Sequence, residues 1–125
     1  MHKVSILTGA ALGALGVMIG AFGAHAFKAL LEQHQRTATF ETGVKYHFFH
    51  ALALILLGII MEKYPSRLLV TSMWAYLVGI LLFSGSLYIL SLTGNTKWGA
   101  VAPFGGLSLI VGWVLLFWGV LKGYH

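Results

Sequence analysis

Four stretches of this chain are each long enough to cross a lipid bilayer and almost free of charge, and that pattern limits the fold more than any motif. Residues 4–27 hold no Asp, Glu, Lys or Arg; a second apolar run begins near residue 40 and ends at Met61, before Glu62; the third covers about 68–92 and the fourth about 99–121. A helix needs about 20 residues to cross a hydrocarbon core of about 30 Å. Only 9% of the 125 residues are charged, against about 25% in soluble domains, so the chain lacks the polar side chains to cover a water-facing surface. The expectation is all-α: one polytopic membrane domain over residues 1–125, an up-and-down bundle with spans at about 4–27, 40–62, 68–92 and 99–121.

The connections are short. Lys63 to Arg67 contains Pro65, and Ser91 to Trp98 contains the turn-like Thr93-Gly94-Asn95, so neighbouring spans must run antiparallel. Lys28 to Arg36 is different. Lys28, Glu32 and Arg36 form a charged stripe at four-residue spacing while Ala29, Leu30 and Leu31 are apolar, the pattern of a brief helix lying at the membrane interface. Lys3, the first apolar run and Ala24-His25-Ala26 imitate a secretory signal. That run exceeds the usual apolar core of such signals, about 7 to 15 residues, and reads as a retained span.

The formal charge of +5 does not point to nucleic acid, because the Lys and Arg residues flank apolar runs singly or in pairs; attraction to anionic lipid headgroups explains it better. Without cysteine, disulfides, thiolate ligands and c-type haem attachment are excluded. Orientation is balanced: Lys3, Lys63, Arg67 and Lys122 fall on one side, Lys28, Arg36, Lys45 and Lys97 on the other. The crowding of Lys63 and Arg67 in one short loop leans toward both termini being cytoplasmic.

Between helices in lipid there is little hydrophobic drive, so close approach along small residues must supply contact energy. Gly9, Gly13, Gly16, Gly20 and Gly23 form such a seam, spaced 4, 3, 4 and 3, and the seven-residue period is that of a left-handed crossing. Ala10, Ala14, Ala21 and Ala24 form a second small stripe beside it; a tight bundle core is the first reading of such small-residue faces and a self-association surface the alternative. Ser72, Ala75, Gly79 and Ser86 in span three, and Gly105, Ser108, Gly112 and Gly119 in span four, repeat the spacing. Tyr64, Trp98, Trp118 and Tyr124 lie near predicted ends, where amphipathic rings anchor at headgroups, while Trp113 is further inside.

Folding the spans up and down brings most intramembrane polar residues toward one side. His25 ends span one; Tyr46, His47 and His50 begin span two; Ser84, Ser86 and Tyr88 end span three; Trp98 and Pro103 to Gly106, including Gly105, begin span four. Ionisable groups at membrane depth usually face a bundle interior or a wet cavity, which makes His25, Tyr46, His50, Ser84, Ser86, Tyr88, Pro103, Gly105 and Gly106 a candidate pocket. Three roles compete for it: hydrogen bonds that fix helix register, a small cavity for a lipid headgroup, ion or proton, and metal or haem ligation or catalysis. His47 and His50 at i, i+3 could share a metal, yet no carboxylate accompanies them. Glu41 lies on the opposite helix face from His50, at pairing distance from Lys45. No span interior contains the acid that a proton relay normally uses, which counts against a pump.

Gly20-Ala-Phe-Gly-Ala-His25, Thr42-Gly-x-x-Tyr46-x-x-x-His50, Phe83-Ser-Gly-Ser-Leu-Tyr88, Pro103-x-Gly-Gly106 and Gly112-Trp113 together resemble the small membrane family called domain of unknown function 423, over essentially the whole chain. The resemblance implies a four-helix protein of the bacterial inner or cytoplasmic membrane with relatives in eukaryotes, and brings no established activity or cofactor. It covers His25, Tyr46, His50, Ser84, Ser86 and Tyr88 but not His47, which weakens the His47–His50 metal pair. The expected protein is non-catalytic and acts in membrane organisation or envelope stability, with no metal or cofactor and no nucleic-acid partner. The bilayer surrounds it, and a second copy or another membrane protein is a candidate partner. A carrier of a small solute, ion or lipid headgroup through the His25/His50 pocket is the alternative.

Overall fold

The computed structural model describes residues 1–123. Its helices are α1 (His2–Ala24), α2 (Lys28–Gln33), α3 (Thr37–Lys63), α4 (Arg67–Thr93) and α5 (Ala102–Gly123), with a 3-10 turn, Thr96–Ala100, before α5. Four helices are long and apolar enough to cross a membrane, at the places expected and with ends moved by a few residues. The 3-10 turn is an addition to the expected plan. It begins where the Asn95 side chain accepts a hydrogen bond from the Lys97 amide at 3.1 Å.

Local chemistry sets the ends. The Ser66 hydroxyl accepts from the Leu68 amide at 3.2 Å, occupying one of the free donors at the start of α4. Gly94 closes α4 in the left-handed region, φ +72°, with its amide on the Leu90 carbonyl at 2.8 Å, a conformation that costs glycine little. Between α2 and α3 the same region is occupied by Gln35, φ 56°. Pro103 lies in the first turn of α5, where a missing amide proton breaks no helical bond.

The helices pack in chain order: α1 on α3, α3 on α4 and α4 on α5. The two inner helices have 44% of their most apolar windows buried, compared with 17% for α1 and 22% for the last span. Each spanning helix presents a seven-residue repeat to its neighbour. In α3 the row Phe40, Gly43, His47, His50, Leu54, Leu57 and Met61 alternates steps of three and four and is buried throughout. Ala102, Gly105, Leu109, Gly112 and Gly119 repeat the spacing in α5. This is knobs-into-holes spacing without a wide hydrophobic stripe, because the lipid-facing surface is equally apolar.

Of the five glycines expected to pack α1, Gly9, Gly16 and Gly23 make the close approaches. A Cβ on Gly9 would stand 2.7 Å from the Ala51 carbonyl oxygen, on Gly16 3.2 Å from the Phe48 ring, and on Gly23 inside the Phe40 ring. Gly20 is in ordinary contact with Val44 at 3.4 Å, and a Cβ on Gly13 would meet nothing within 4 Å. Gly13 therefore does not pack. The contact row is Ser5, Gly9, Leu12, Gly16, Ile19 and Gly23, which leaves Gly13 and Gly20 on its flank. Ala10, Ala14, Ala21 and Ala24 are exposed.

The short α2 is packed into the bundle. Leu31 is 1% exposed, and His34 Nδ1–H donates to the Ser91 carbonyl at 3.0 Å, tying α2 to the end of α4. Glu41 and Lys45, whose spacing suits an ion pair, do not form one. Trp98 and Trp118 are exposed near helix ends, with the Lys122 ammonium 5.1 Å from the Trp118 ring centre. Tyr124 lies outside the described residues.

Candidate functional site

Two histidines on the buried row of α3 organise the interior, and the chemistry of their partners fixes their protons. The indole of Trp113, on α5, can only donate, so His50 Nε2 accepts from it, at 3.0 Å. The proton is then on Nδ1, which donates to the Tyr46 carbonyl one turn earlier at 2.7 Å. His47 has the opposite tautomer. The Leu12 carbonyl on α1 can only accept, so Nε2–H donates to it at 2.7 Å, and in the neutral ring Nδ1 accepts the Tyr88 hydroxyl proton at 2.8 Å. His50 is therefore neutral, and all four ring nitrogens are engaged. Through them α3 is bonded to α1, α4 and α5 at once.

Serine hydroxyls extend the same bonding. Ser84 donates to the Gly43 carbonyl of α3, Ser5 of α1 to the Leu54 carbonyl of α3, Ser72 of α4 to the Gly112 carbonyl of α5, and Ser108 of α5 to the Ala75 carbonyl of α4, at 2.6–2.8 Å. Each acceptor is a helix carbonyl with a spare lone pair, and small residues bring it within reach: Gly43 and Gly112 themselves supply two of them. Ser5–Leu54 and Ser72–Gly112 lie in the half of the bundle opposite the expected polar side. The polar contacts are thus spread over both halves.

The nine expected pocket residues separate into groups. Tyr46, His50, Pro103 and Gly106 line one cleft of about 550 Å³ with Leu107, Leu109, Ile110 and Trp113. Its rim reaches the outer surface, since Tyr46 is 40% and Trp113 46% exposed, while His50 at its base is 5% exposed. Ser84 and Tyr88 belong instead to the α3–α4 contact, where Tyr88 packs on Phe40 and His47 with ring centres 5.4 and 6.0 Å away. Ser86 donates to its own helix at the Phe83 carbonyl, 2.9 Å. Gly105 is pressed against the backbone of Phe83, leaving no room for a side chain.

His25 does not join the cleft. It is the exposed residue that closes α1, 13 residues beyond Leu12, which is level with His47; 13 helical residues are about 20 Å. Nor does His50 sit near one face, because it occupies the midpoint of α3, 13 residues from either end. Chain order in an antiparallel hairpin groups His25 with the first half of α3 but does not fix how far along α3 the level of His50 falls.

His47 and Trp113 are the important residues that the sequence reading set aside. The signal for His47 was present in its place on the alternating three-and-four row from Phe40 to Met61. Tyr76 was also missed. Its ring is fully buried, 5.6 Å from His50 and 5.2 Å from Trp113, and its hydroxyl, beside Ser72, has no partner at hydrogen-bonding geometry among the described residues. Among the described residues no three His, Asp or Glu converge as a metal site would require.

A family model described as "Protein of unknown function (DUF423)" matches residues 19–106. The chain belongs to that family. Similar DUF423-type relatives include the UPF0382 membrane protein YwdK of Bacillus subtilis (strain 168), 39% identical over 96% of this chain and 98% of its own. The UPF0382 membrane protein SH2409 of Staphylococcus haemolyticus is 38% identical over 96% and 97%. The UPF0382 inner membrane protein YgdD of Escherichia coli K12 is 34% identical over 96% and 91%. With four spanning helices and these relatives, this DUF423 member is a multi-pass protein of the bacterial cytoplasmic membrane. No solved structure matches it.

Proposed function

We propose that the protein is a non-catalytic component of the membrane that contributes to its organisation or to envelope stability. The observation that carries this reading is the full engagement of His47 and His50: each ring nitrogen already has a partner inside the protein. A metal ligand needs a free lone pair, and a proton carrier must gain and lose a proton without breaking its scaffold. Here protonating His50 at Nε2 would expel the Trp113 bond. The cleft beside it has the character of a lipid-facing groove, not of a reaction chamber, and both termini are proposed to face the cytoplasm.

The test pairs two measurements on His50→Ala. Cells with the variant in place of the wild type should lose resistance to envelope stress, while proteoliposomes of wild type and variant should show the same flux of protons and small solutes. Wild-type flux that disappears in the variant would reverse the assignment in favour of the carrier. Because the chain lacks cysteine, Glu62→Cys and Thr96→Cys provide single labels for orientation. An impermeant thiol reagent applied outside should reach position 96 and not 62.

A further inference from the structure

A second groove, of about 350 Å³, lies between the end of α1, the short α2 and the beginning of α3, away from the histidines. Its floor is apolar, made by Gly20, Gly23, Leu31, Phe40 and Val44, and its rim holds Lys28 and Glu32 from α2 with Glu41 and Lys45 from α3. We propose that this groove binds a phospholipid with a zwitterionic, primary-amine headgroup, a phosphoethanolamine lipid. In this arrangement an acyl chain lies on the floor and the headgroup spans the rim.

Three observations support that occupant. The first is depth. Counting back about 20 residues from Met61, the length of one crossing, reaches Thr42, so Glu41 and Lys45 bracket the boundary where headgroups begin. Lys45 lies only about one turn inside, where its stem can reach the polar layer. The second is charge. Two lysines and two glutamates sum to zero, so the rim has no bias toward an anionic lipid, yet it presents separate partners for a phosphate and for an ammonium. All four side chains are exposed, and among the described residues none forms an ion pair that would compete with a ligand. The third is shape. The groove, at about 350 Å³, falls within the size range of small-molecule sites.

The selectivity follows from the donors. A primary ammonium donates three hydrogen bonds and can satisfy both carboxylates. A trimethylated amine donates none, and a glycerol headgroup carries no positive charge to meet them. The lysines contact the phosphate common to all three lipids. The carboxylates therefore choose the headgroup and the lysines hold it. This reading extends the proposed membrane-organising role without depending on the histidine bonds, and it is tested on purified protein where that role is tested in cells.

The full chain, delipidated in dodecyl maltoside, is titrated with palmitoyl-oleoyl phosphatidylethanolamine, phosphatidylcholine and phosphatidylglycerol in turn, and retention is read by native mass spectrometry. The expected result is phosphatidylethanolamine retained about tenfold more tightly than the other two, a difference of the size that charge-assisted hydrogen bonds supply. Glu32→Gln with Glu41→Gln should abolish the preference while retaining phospholipid. Lys28→Gln with Lys45→Gln should weaken retention of all three lipids about tenfold. Equal retention of the three by the wild type overturns the proposal, as does an unchanged preference in the double Glu variant. If a double variant melts early without lipid, the single exposed changes E32Q and K28Q carry the same comparison.

Discussion

The Trp113 indole on α5 and the His50 imidazole on α3 meet at 3.0 Å across a cleft, although α5 packs mainly on α4. A donor-only group against a ring nitrogen at mid-span leaves neither partner an alternative in hydrocarbon. The pair is therefore a lock on the spacing of two helices that otherwise share few contacts. Trp113→Phe retains a ring against Tyr76 but removes the donor. It should cost about 0.6 to 1.7 kcal/mol, the range of such bonds in membranes, read by unfolding in mixed micelles. His50→Leu should cost more alone but be insensitive to the second change. Additive losses in the pair would show that the bond contributes nothing.

Gly105 and Gly13 make opposite predictions from the same substitution. A methyl at 105 collides with the Phe83 backbone, whereas at 13 it meets nothing within 4 Å. Gly105→Ala should lose about 1 to 3 kcal/mol by overpacking. Gly13→Ala should be neutral or gain up to about 1 kcal/mol through helix propensity. Equal effects at the two sites would contradict the assignment of the packing row.

Tyr76 is fully buried with its hydroxyl unpartnered. An unsatisfied buried hydroxyl costs about 1 to 3 kcal/mol, so Tyr76→Phe should be neutral or raise the melting temperature. A clear loss of stability would mean that the hydroxyl has a partner in the membrane.

Gln35 holds a left-handed backbone, φ 56°, in the link that carries α2 into α3. That conformation costs a residue with a Cβ about 1 to 2 kcal/mol, partly offset in a glycine variant by the freer unfolded chain. Gln35→Gly should raise the melting temperature slightly, and Gln35→Val should lower it. Insensitivity to both would show that the link is not held in this form.

The spans were legible because hydrocarbon excludes charge, so the uncharged runs from Lys3 to Lys28, Lys45 to Glu62, Arg67 to Lys97 and Lys97 to Lys122 mark the crossings directly. Gly9, Gly16 and Gly23 were legible as packing residues for a similar reason, although period alone could not separate Gly13 from them. That separation depends on which flank of α1 meets α3. The grouping of polar residues was less legible. Tyr46 and His50 do line one cleft, but the partner of His50 comes from the middle of α5, and Trp113 reads most simply as a deep aromatic. Chain order gives the half of a hairpin and not the depth within it, so it groups His25 with a cleft that His25 does not line. His47 was set aside on motif grounds, yet it makes two of the bonds that hold the interior together.

The order of packing, α1 on α3, α3 on α4 and α4 on α5, has a consequence for biogenesis. Each span after the first finds a packing neighbour already in the bilayer when it leaves the translocon, and α1 can pair with α3 before the last span arrives. Insertion and assembly can proceed as one vectorial process. The Trp113–His50 bond then forms among the last contacts, fastening α5 to a helix that was in place two crossings before it.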